Sequence, residues 1–307
     1  MGVVGIPAKA AKGPPRLIGA GILVVLVGLG TFAEWGLTKG AVETWTPTAW
    51  LLNAATIVVL MMLVGWQVNG RPDGLLIDNR NRVSLSRFQA AAWTVLVLSG
   101  LATAVAFNLN HLAQALADQT NAACKGGVTA VACKDLVPGA LEITIPNELL
   151  IAMGISAASL VATPAILSLK SQDDPLQQDV VDASNAGLAP NGVSNVGKVF
   201  ARNDPKDASW TDMFRGEEVG NVDSPDLSKV QQFLITLILL AVYAAALWRA
   251  FVGPTSSFTS LPAIDGQFIW LMGISHAGYL AYKAAPQTAS ASSDSPSTDD
   301  PRTDAAG

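Results

Sequence analysis

Residues 88–107 read FQAAAWTVLVLSGLATAVAF, a stretch without a single ionisable side chain. Twenty residues of α-helix are about 30 Å long, which is also the thickness of the hydrocarbon core of a bilayer. A helix on the surface of a soluble protein would carry charged residues along its solvent-facing side. The stretch therefore predicts a transmembrane helix.

The whole chain has the composition of a membrane protein. Half of its 307 residues are hydrophobic and 14% are charged, whereas about a quarter of the residues are charged in soluble domains. Segments long and apolar enough to cross a bilayer are Leu17–Ala33, Trp50–Trp66, Phe88–Phe107, Leu149–Leu169, Phe233–Phe251 and Gln267–Tyr282. The sequence predicts an all-α integral membrane protein with about six transmembrane helices.

The predicted spans divide the chain into seven segments. These are an N-terminal segment (1–16), a transmembrane hairpin (17–66), a basic hairpin (67–87), a first transmembrane repeat with a cysteine-containing loop (88–169), a partly disordered loop (170–229), a second transmembrane repeat (230–285) and a disordered tail (286–307). Disorder is predicted where Ser, Asp, Asn, Gly and Pro prevail without apolar periodicity. Within the loop, Trp210, Met213 and Phe214 fall on one helical side and predict a segment that packs at the membrane interface.

The distribution of Lys and Arg predicts the orientation. Fifteen of these residues flank the spans on the side of both termini, and four lie on the other side. The positive-inside rule then places both termini, the basic hairpin and the 170–229 loop in the cytoplasm, with the chain in a bacterial inner membrane. A cleaved signal sequence is the alternative for the first span, with the weak cleavage-like triplet Thr31–Ala33.

Cys124 and Cys133 lie in the loop between the third and fourth spans, which this orientation places outside. An extracytoplasmic disulfide is expected there, the alternative being two free thiols. The only histidine of the loop is His111, which leaves too few ligands for a metal. We expect no metal site and no cofactor.

The chain contains two pairs of repeated segments. LSRFQ at 85–89 matches LSKVQ at 227–231, and MGIS at 153–156 recurs at 272–275. Both copies enter from the same side, which predicts a parallel duplication of a two-helix hairpin. In each first segment a Ser-x-x-Gln pattern, Ser86 with Gln89 and Ser228 with Gln231, predicts a capping box.

Small residues recur at every fourth position of the fourth and sixth spans. Such stripes let neighbouring helix backbones approach closely. The predicted helix-packing residues are Gly154, Ala158, Ala162, Gly273, Ala277 and Ala281.

Taken together, the repeated LSRFQ and MGIS segments with Trp93 resemble a set of uncharacterised bacterial multi-pass membrane proteins. The resemblance covers roughly Gly70–Ala285. It implies a helical membrane protein and brings no activity to transfer.

His276 is the candidate for chemistry within the membrane, because an ionisable side chain there is costly. We expect a neutral imidazole hydrogen-bonded to a neighbouring helix. The alternative is a catalytic dyad of Ser156 and His276, an arrangement similar to the rhomboid intramembrane proteases. Two features depart from that family: Ala157 stands where it has glycine, and the second span lacks a His and Asn pair.

Several classes of function are disfavoured. No span carries the mid-membrane carboxylate or lysine of a coupled transporter, and no basic patch is interleaved with aromatics as in nucleic-acid grooves. We expect a non-enzymatic scaffold, anchor or oligomeric assembly component in the lipid bilayer. Its binding face for a cytoplasmic protein or a second copy would be the 208–232 segment with the arginine hairpin. The alternatives are a passive channel for small solutes and a serine protease.

Overall fold

The computed structural model describes residues 42–117, 141–185, 194–253 and 257–285, together with Gly19, Gly21 and Gly28. The helices are α1 (Val42–Asn69), α2 (Leu85–Ala117), α3 (Asn147–Lys170), α4 (Gln177–Asn185), α5 (Leu227–Val252) and α6 (Gly266–Ala284). Strands β1 (Ser194–Val196) and β2 (Val199–Ala201) form an antiparallel hairpin. Short 3-10 turns lie at Gly74–Leu76, Pro205–Asp207, Trp210–Phe214 and Val219–Asn221.

Four helices of the described residues are long and apolar enough to span a membrane. They are Thr46–Asn69, Leu85–Leu109, Asn147–Lys170 and Leu227–Val252, which correspond to the second to fifth predicted spans. The predicted all-α membrane protein is thereby confirmed at the level of fold class. The first predicted span lies almost wholly outside the described residues. The sixth coincides with α6, which is not among these four helices.

Helices α2, α3, α6 and α5 pack against one another in a closed ring, and α1 packs outside it against α2 and α5. Large apolar side chains such as Trp93, Leu247 and Met272 fill the ring. Helix α1 is joined to α2 by two buried hydrogen bonds. The Trp50 indole donates to Ser99 Oγ at 2.9 Å, and Asn53 Nδ2 donates to Thr103 Oγ1 at 3.0 Å.

One end of the ring is held by backbone pairing between the segments that precede α3 and α6. Thr144 N donates to the carbonyl of Thr259 at 2.9 Å, and Leu261 N donates back to the carbonyl of Thr144 at 3.0 Å. Asn108, on α2, brackets Phe258: its Nδ2 donates to the Phe258 carbonyl, and its Oδ1 accepts from the Phe258 amide.

The other end of the ring is covered by a folded unit, residues 71–84 and 194–226, that we call the cap. Ile77 and Val83 pair as an antiparallel bridge, so the hairpin predicted here is confirmed. Its apolar residues bury Met213 and Ala208 of the second cap segment. The segment with Trp210, Met213 and Phe214, predicted to pack at the membrane interface, contacts the first turns of α2 and α5. The Trp210 ring lies 6.4 Å from Phe88 at the start of α2, and the Phe214 ring lies 5.1 Å from Phe233 on α5.

The described part of the 170–197 stretch is more ordered than its composition predicts. Helix α4 lies within it and buries Ala183 against Phe200, Val219 and Val222 of the cap. Val180 packs on the same cluster. A few apolar residues are enough to fix α4 because the cap supplies the other half of the buried surface. The average composition of a segment does not reflect such contacts with distant residues.

Candidate functional site: a carboxylate among four cations and a polar column

Glu217 lies where the cap meets the helix ring. Its Oε2 is 2.6 Å from Arg80 Nη1 and 3.5 Å from Arg82 Nη1, both in the basic hairpin. Its Oε1 is 2.7 Å from Lys229 Nζ on α5 and 2.9 Å from Lys283 Nζ on α6. One carboxylate thus joins the hairpin, the second cap segment and two helices.

The four cations are also held by other groups. Arg82 donates to the carbonyls of Gly216 (2.8 Å) and Asp212 (3.2 Å), while Lys229 Nζ donates to the carbonyl of Arg215 at 2.6 Å. Arg80 is paired with Asp78 at 2.7 Å, and Lys283 Nζ donates to Tyr279 Oη at 2.6 Å. Because buried cations without partners are costly, these contacts explain how the cluster is retained away from water.

The cluster shifts the pKa values of its groups outside the spans. Burial alone would raise the pKa of Glu217, but Arg80, Lys229, Lys283 and Arg82 outweigh it and hold that pKa well below its usual range. Burial lowers the pKa of Arg82, and the attraction of Glu217 offsets only part of this effect. Glu217 is therefore a carboxylate at neutral pH.

The arginine hairpin is not the free binding face that the sequence suggested. Arg80 and Arg82 point into the cluster, and Arg71 pairs with Asp73 and donates to the carbonyl of Ala208 at 2.7 Å. Arg87 donates only to backbone carbonyls, to Ile77 at 2.9 Å and to Leu75 at 3.4 Å. The hairpin uses its arginines to fold the cap, and of its four arginines only Arg87 has no ion pair with a described residue.

A column of buried polar side chains continues from the cluster into the ring. Gln89 Nε2 donates to Thr236 Oγ1 at 2.8 Å, and Gln232 Nε2 donates to Gln89 Oε1 at 3.1 Å. All three side chains are fully buried. Next to them Ser86 and Thr163 share a hydrogen bond of 3.2 Å between their hydroxyls.

Six buried polar atoms on the helices of the ring have no hydrogen-bond partner among the described residues. They are Trp93 Nε1, Ser156 Oγ, Ser159 Oγ, Gln232 Oε1, Tyr243 Oη and His276 Nε2. An unsatisfied buried polar group costs about 1–3 kcal/mol. A group of them in one bundle favours internal water or a small polar solute as the missing partner.

His276 and Ser156 do not form the dyad considered from sequence. His276 Nδ1 donates to the carbonyl of Met272 on its own helix at 2.9 Å, so Nε2 is the acceptor nitrogen of the neutral ring. Neither Nε2 nor Ser156 Oγ has a hydrogen-bond partner in the described chain. The expected bond from His276 to a neighbouring helix is likewise absent, and the geometry of a nucleophile beside its base is not met.

The predicted small-residue stripes do not lie where helices of this chain meet. A Cβ built on Gly154 meets nothing within 4 Å, and one on Gly273 meets only Ile155 Cδ1 at 3.7 Å. Ala158, Ala277 and Ala281 are exposed, and Ala162 is partly exposed. This packing prediction is wrong for contacts among the described residues, because the opposite faces of α3 and α6 enter the ring.

The buried faces of α3 and α6 follow a different register from the MGIS match. The buried residues are Ala152, Ser156, Ser159 and Thr163 in α3 and Met272, His276, Tyr279 and Lys283 in α6. By their buried faces, Ser156 of α3 corresponds to His276 of α6. The MGIS match instead aligns Ser156 with Ser275, the residue before His276. One residue is a rotation of about 100° on a helix, so equal letters face in different directions.

The predicted capping boxes are also wrong. Helix α5 is capped by Asp226, whose carboxylate accepts from the amides of Ser228 and Lys229. Ser228 Oγ donates to the same carboxylate at 2.6 Å. Gln231 is exposed, whereas Gln89 is buried against Thr236 and Ser86 bonds Thr163. The Ser-x-x-Gln residues lie inside the first turns, where two of them hold neighbouring helices together.

The most connected residues were missed from sequence. Glu217 and Lys229 carry no motif, and Gln232 stands beside the repeated Gln231. Lys229 and Lys283 lie at the ends of predicted spans. A lysine buried there needs a carboxylate partner, so these two residues indicate that an acidic residue of a loop lies nearby. The predicted disulfide of Cys124 and Cys133 lies outside the described residues.

Comparison of the chain with protein-family models, curated proteins and solved structures finds no match.

Proposed function

We propose that the protein is a membrane-embedded scaffold that holds the folded cap in a fixed orientation on its helix ring. The observation that supports this proposal is the contact of Glu217 with the hairpin, α5 and α6. A loop tied in this manner moves with the helices, as a binding platform requires. The basic flanks of the spans favour a cytoplasmic cap in a bacterial inner membrane.

We also propose the finer architecture of six spans with a duplicated hairpin. Helix α6 completes the ring beside α3 and α5, as a membrane-crossing helix would. Two features favour duplication: the buried faces of α3 and α6 correspond residue by residue, and the segments before them pair in parallel through Thr144 and Ser260. The first span at 17–33 would precede this unit as an addition.

The scaffold proposal requires a protein in contact with the cap. Leu176 lies just before α4 and is 65% exposed, and Val181 lies on α4 and is 49% exposed. Both are apolar positions that a partner or a second copy could cover. A photo-crosslinking amino acid at either position should give discrete protein adducts in cells. The matched control is Ile238 on α5, 58% exposed within a candidate span. Absence of adducts at both positions on or beside α4, which packs against the cap, would contradict the scaffold proposal.

A conduit for small polar solutes is a second candidate, favoured by the unsatisfied polar atoms of the ring. Water or a small solute in the ring would satisfy Ser156, Ser159 and His276. In proteoliposomes, the purified protein should raise permeability to water or small neutral solutes above that of protein-free vesicles. Gln232→Leu, inside the column, should reduce this permeability, and Gln231→Leu, on the exposed face, should not. Equal permeability with and without protein would exclude this candidate.

A further inference from the structure

A groove at the capped end of α2 and α3 lies beside the Glu217 cluster and shares Arg80 with it. It has a volume of about 600 Å³, which is within the usual range of small-molecule sites. Its walls are the first turns of α2, the last turns of α3, the hairpin and the β1–β2 hairpin.

The lining of the groove is divided along its depth. The inner part is apolar and includes Met61, Ala91, Leu160 and Pro164. The outer part carries the polar residues Ser84, Arg87, Ser168 and Ser171 beside the apolar Leu75, Val196 and Val199. The division falls at the ends of two candidate spans, since Leu85 begins one and Lys170 ends the other. At that depth a bilayer changes from acyl chains to headgroups.

The polar part of the groove carries a net positive charge. Arg80 is neutralised by Asp78 and Glu217, whereas Arg87 contacts only the carbonyls of Ile77 and Leu75. Of the described residues that line the groove, Asp78 is the only carboxylate, and Arg80 already holds it. Arg87 therefore provides a cation for a ligand, and arginine matches the geometry of a phosphate.

We infer that this groove binds an anionic phospholipid. The phosphate of the headgroup accepts hydrogen bonds from Arg87 and the Ser84 hydroxyl, since Ser168 and Ser171 already donate to backbone carbonyls. The upper part of an acyl chain lies along Ala91, Leu160 and Pro164. Pro164 is exposed beside the groove, so the rest of the chain continues into the bilayer.

Native mass spectrometry of the purified full chain tests this inference. Delipidated protein is titrated with phosphatidylglycerol, phosphatidylcholine, glycerophosphoglycerol or inorganic phosphate. Phosphatidylglycerol should bind at least about tenfold more tightly than the other three. Equal binding of the two lipids would overturn the inference, and so would phosphate or the chain-free headgroup binding as tightly as the anionic lipid.

Variants separate the groove from general lipid adhesion. Arg87→Gln should weaken phosphatidylglycerol binding about tenfold, whereas Arg249→Gln, an exposed arginine at the end of α5 far from the cap, should leave it unchanged. Ala91→Trp fills the apolar half and should weaken binding while Arg87 is intact. Parent-like affinity in both groove variants would refute the site, and a circular dichroism spectrum equal to the parent's would show that each variant is folded.

Discussion

Removal of one partner from a buried ion pair costs about 3–5 kcal/mol, because the remaining charge stays buried without compensation. Glu217 is the shared partner of Arg80, Arg82, Lys229 and Lys283. Glu217→Gln should therefore lower the free energy of unfolding in detergent by about 3–5 kcal/mol. Glu142→Gln removes the same charge from an exposed side chain and should have little effect. Equal losses in the two variants, measured by denaturant titration, would show that the cluster does not hold the cap.

The depressed pKa of Glu217 also fixes a pH dependence. Because the folded-state pKa lies well below the usual value, the contribution of Glu217 is fully present above about pH 4.3, the ordinary pKa of a glutamate. It decreases as the pH falls from there through the folded-state pKa. The difference in unfolding free energy between the parent and Glu217→Gln should be constant from pH 7 to about pH 5 and shrink below about pH 4. A difference that already shrinks between pH 7 and pH 5 would contradict this assignment.

At the scale of elements, the sequence predicted which segments are helices better than which faces are buried. The run of apolar residues at 88–107 located α2, because lipid contact requires apolar residues on every side. The same uniformity removes the amphipathic pattern that would identify the inner face. The caps were missed for a related reason: Asp226 caps α5 from outside the repeated motif.

Close helix contact is expected at Gly100 instead of the predicted glycines. A Cβ on Gly100 would lie 3.0 Å from Leu247 Cδ2 on α5, where α2 and α5 pack in the ring. Gly100→Leu should lower the unfolding free energy in detergent by about 1–3 kcal/mol, as overpacking does in other cores. Gly154→Leu, in open space, should change it by much less. The account of the ring would be wrong if Gly154→Leu were the more destabilising of the two.

At the scale of the whole molecule, the cap and the ring depend on residues far apart in the chain. Arg82 and Gly216 are 134 positions apart, and Gln89 and Thr236 are 147. Composition and periodicity describe neighbours in sequence, so they predicted the spans and the hairpin but not Glu217 or the column. The arginine hairpin was assigned to a binding surface because its internal partners come from another segment.

The topology of the chain is the most direct test of the central claim, a multi-pass membrane protein with its cap and both termini in the cytoplasm. Topology reporters fused after Gly307 or inserted at Asn185 should read cytoplasmic, and a reporter inserted at Gly126 should read external. The basic residues around the cap and the proposed six spans lead to this expectation. An external reading at Asn185, or a cytoplasmic one at Gly126, would contradict the account.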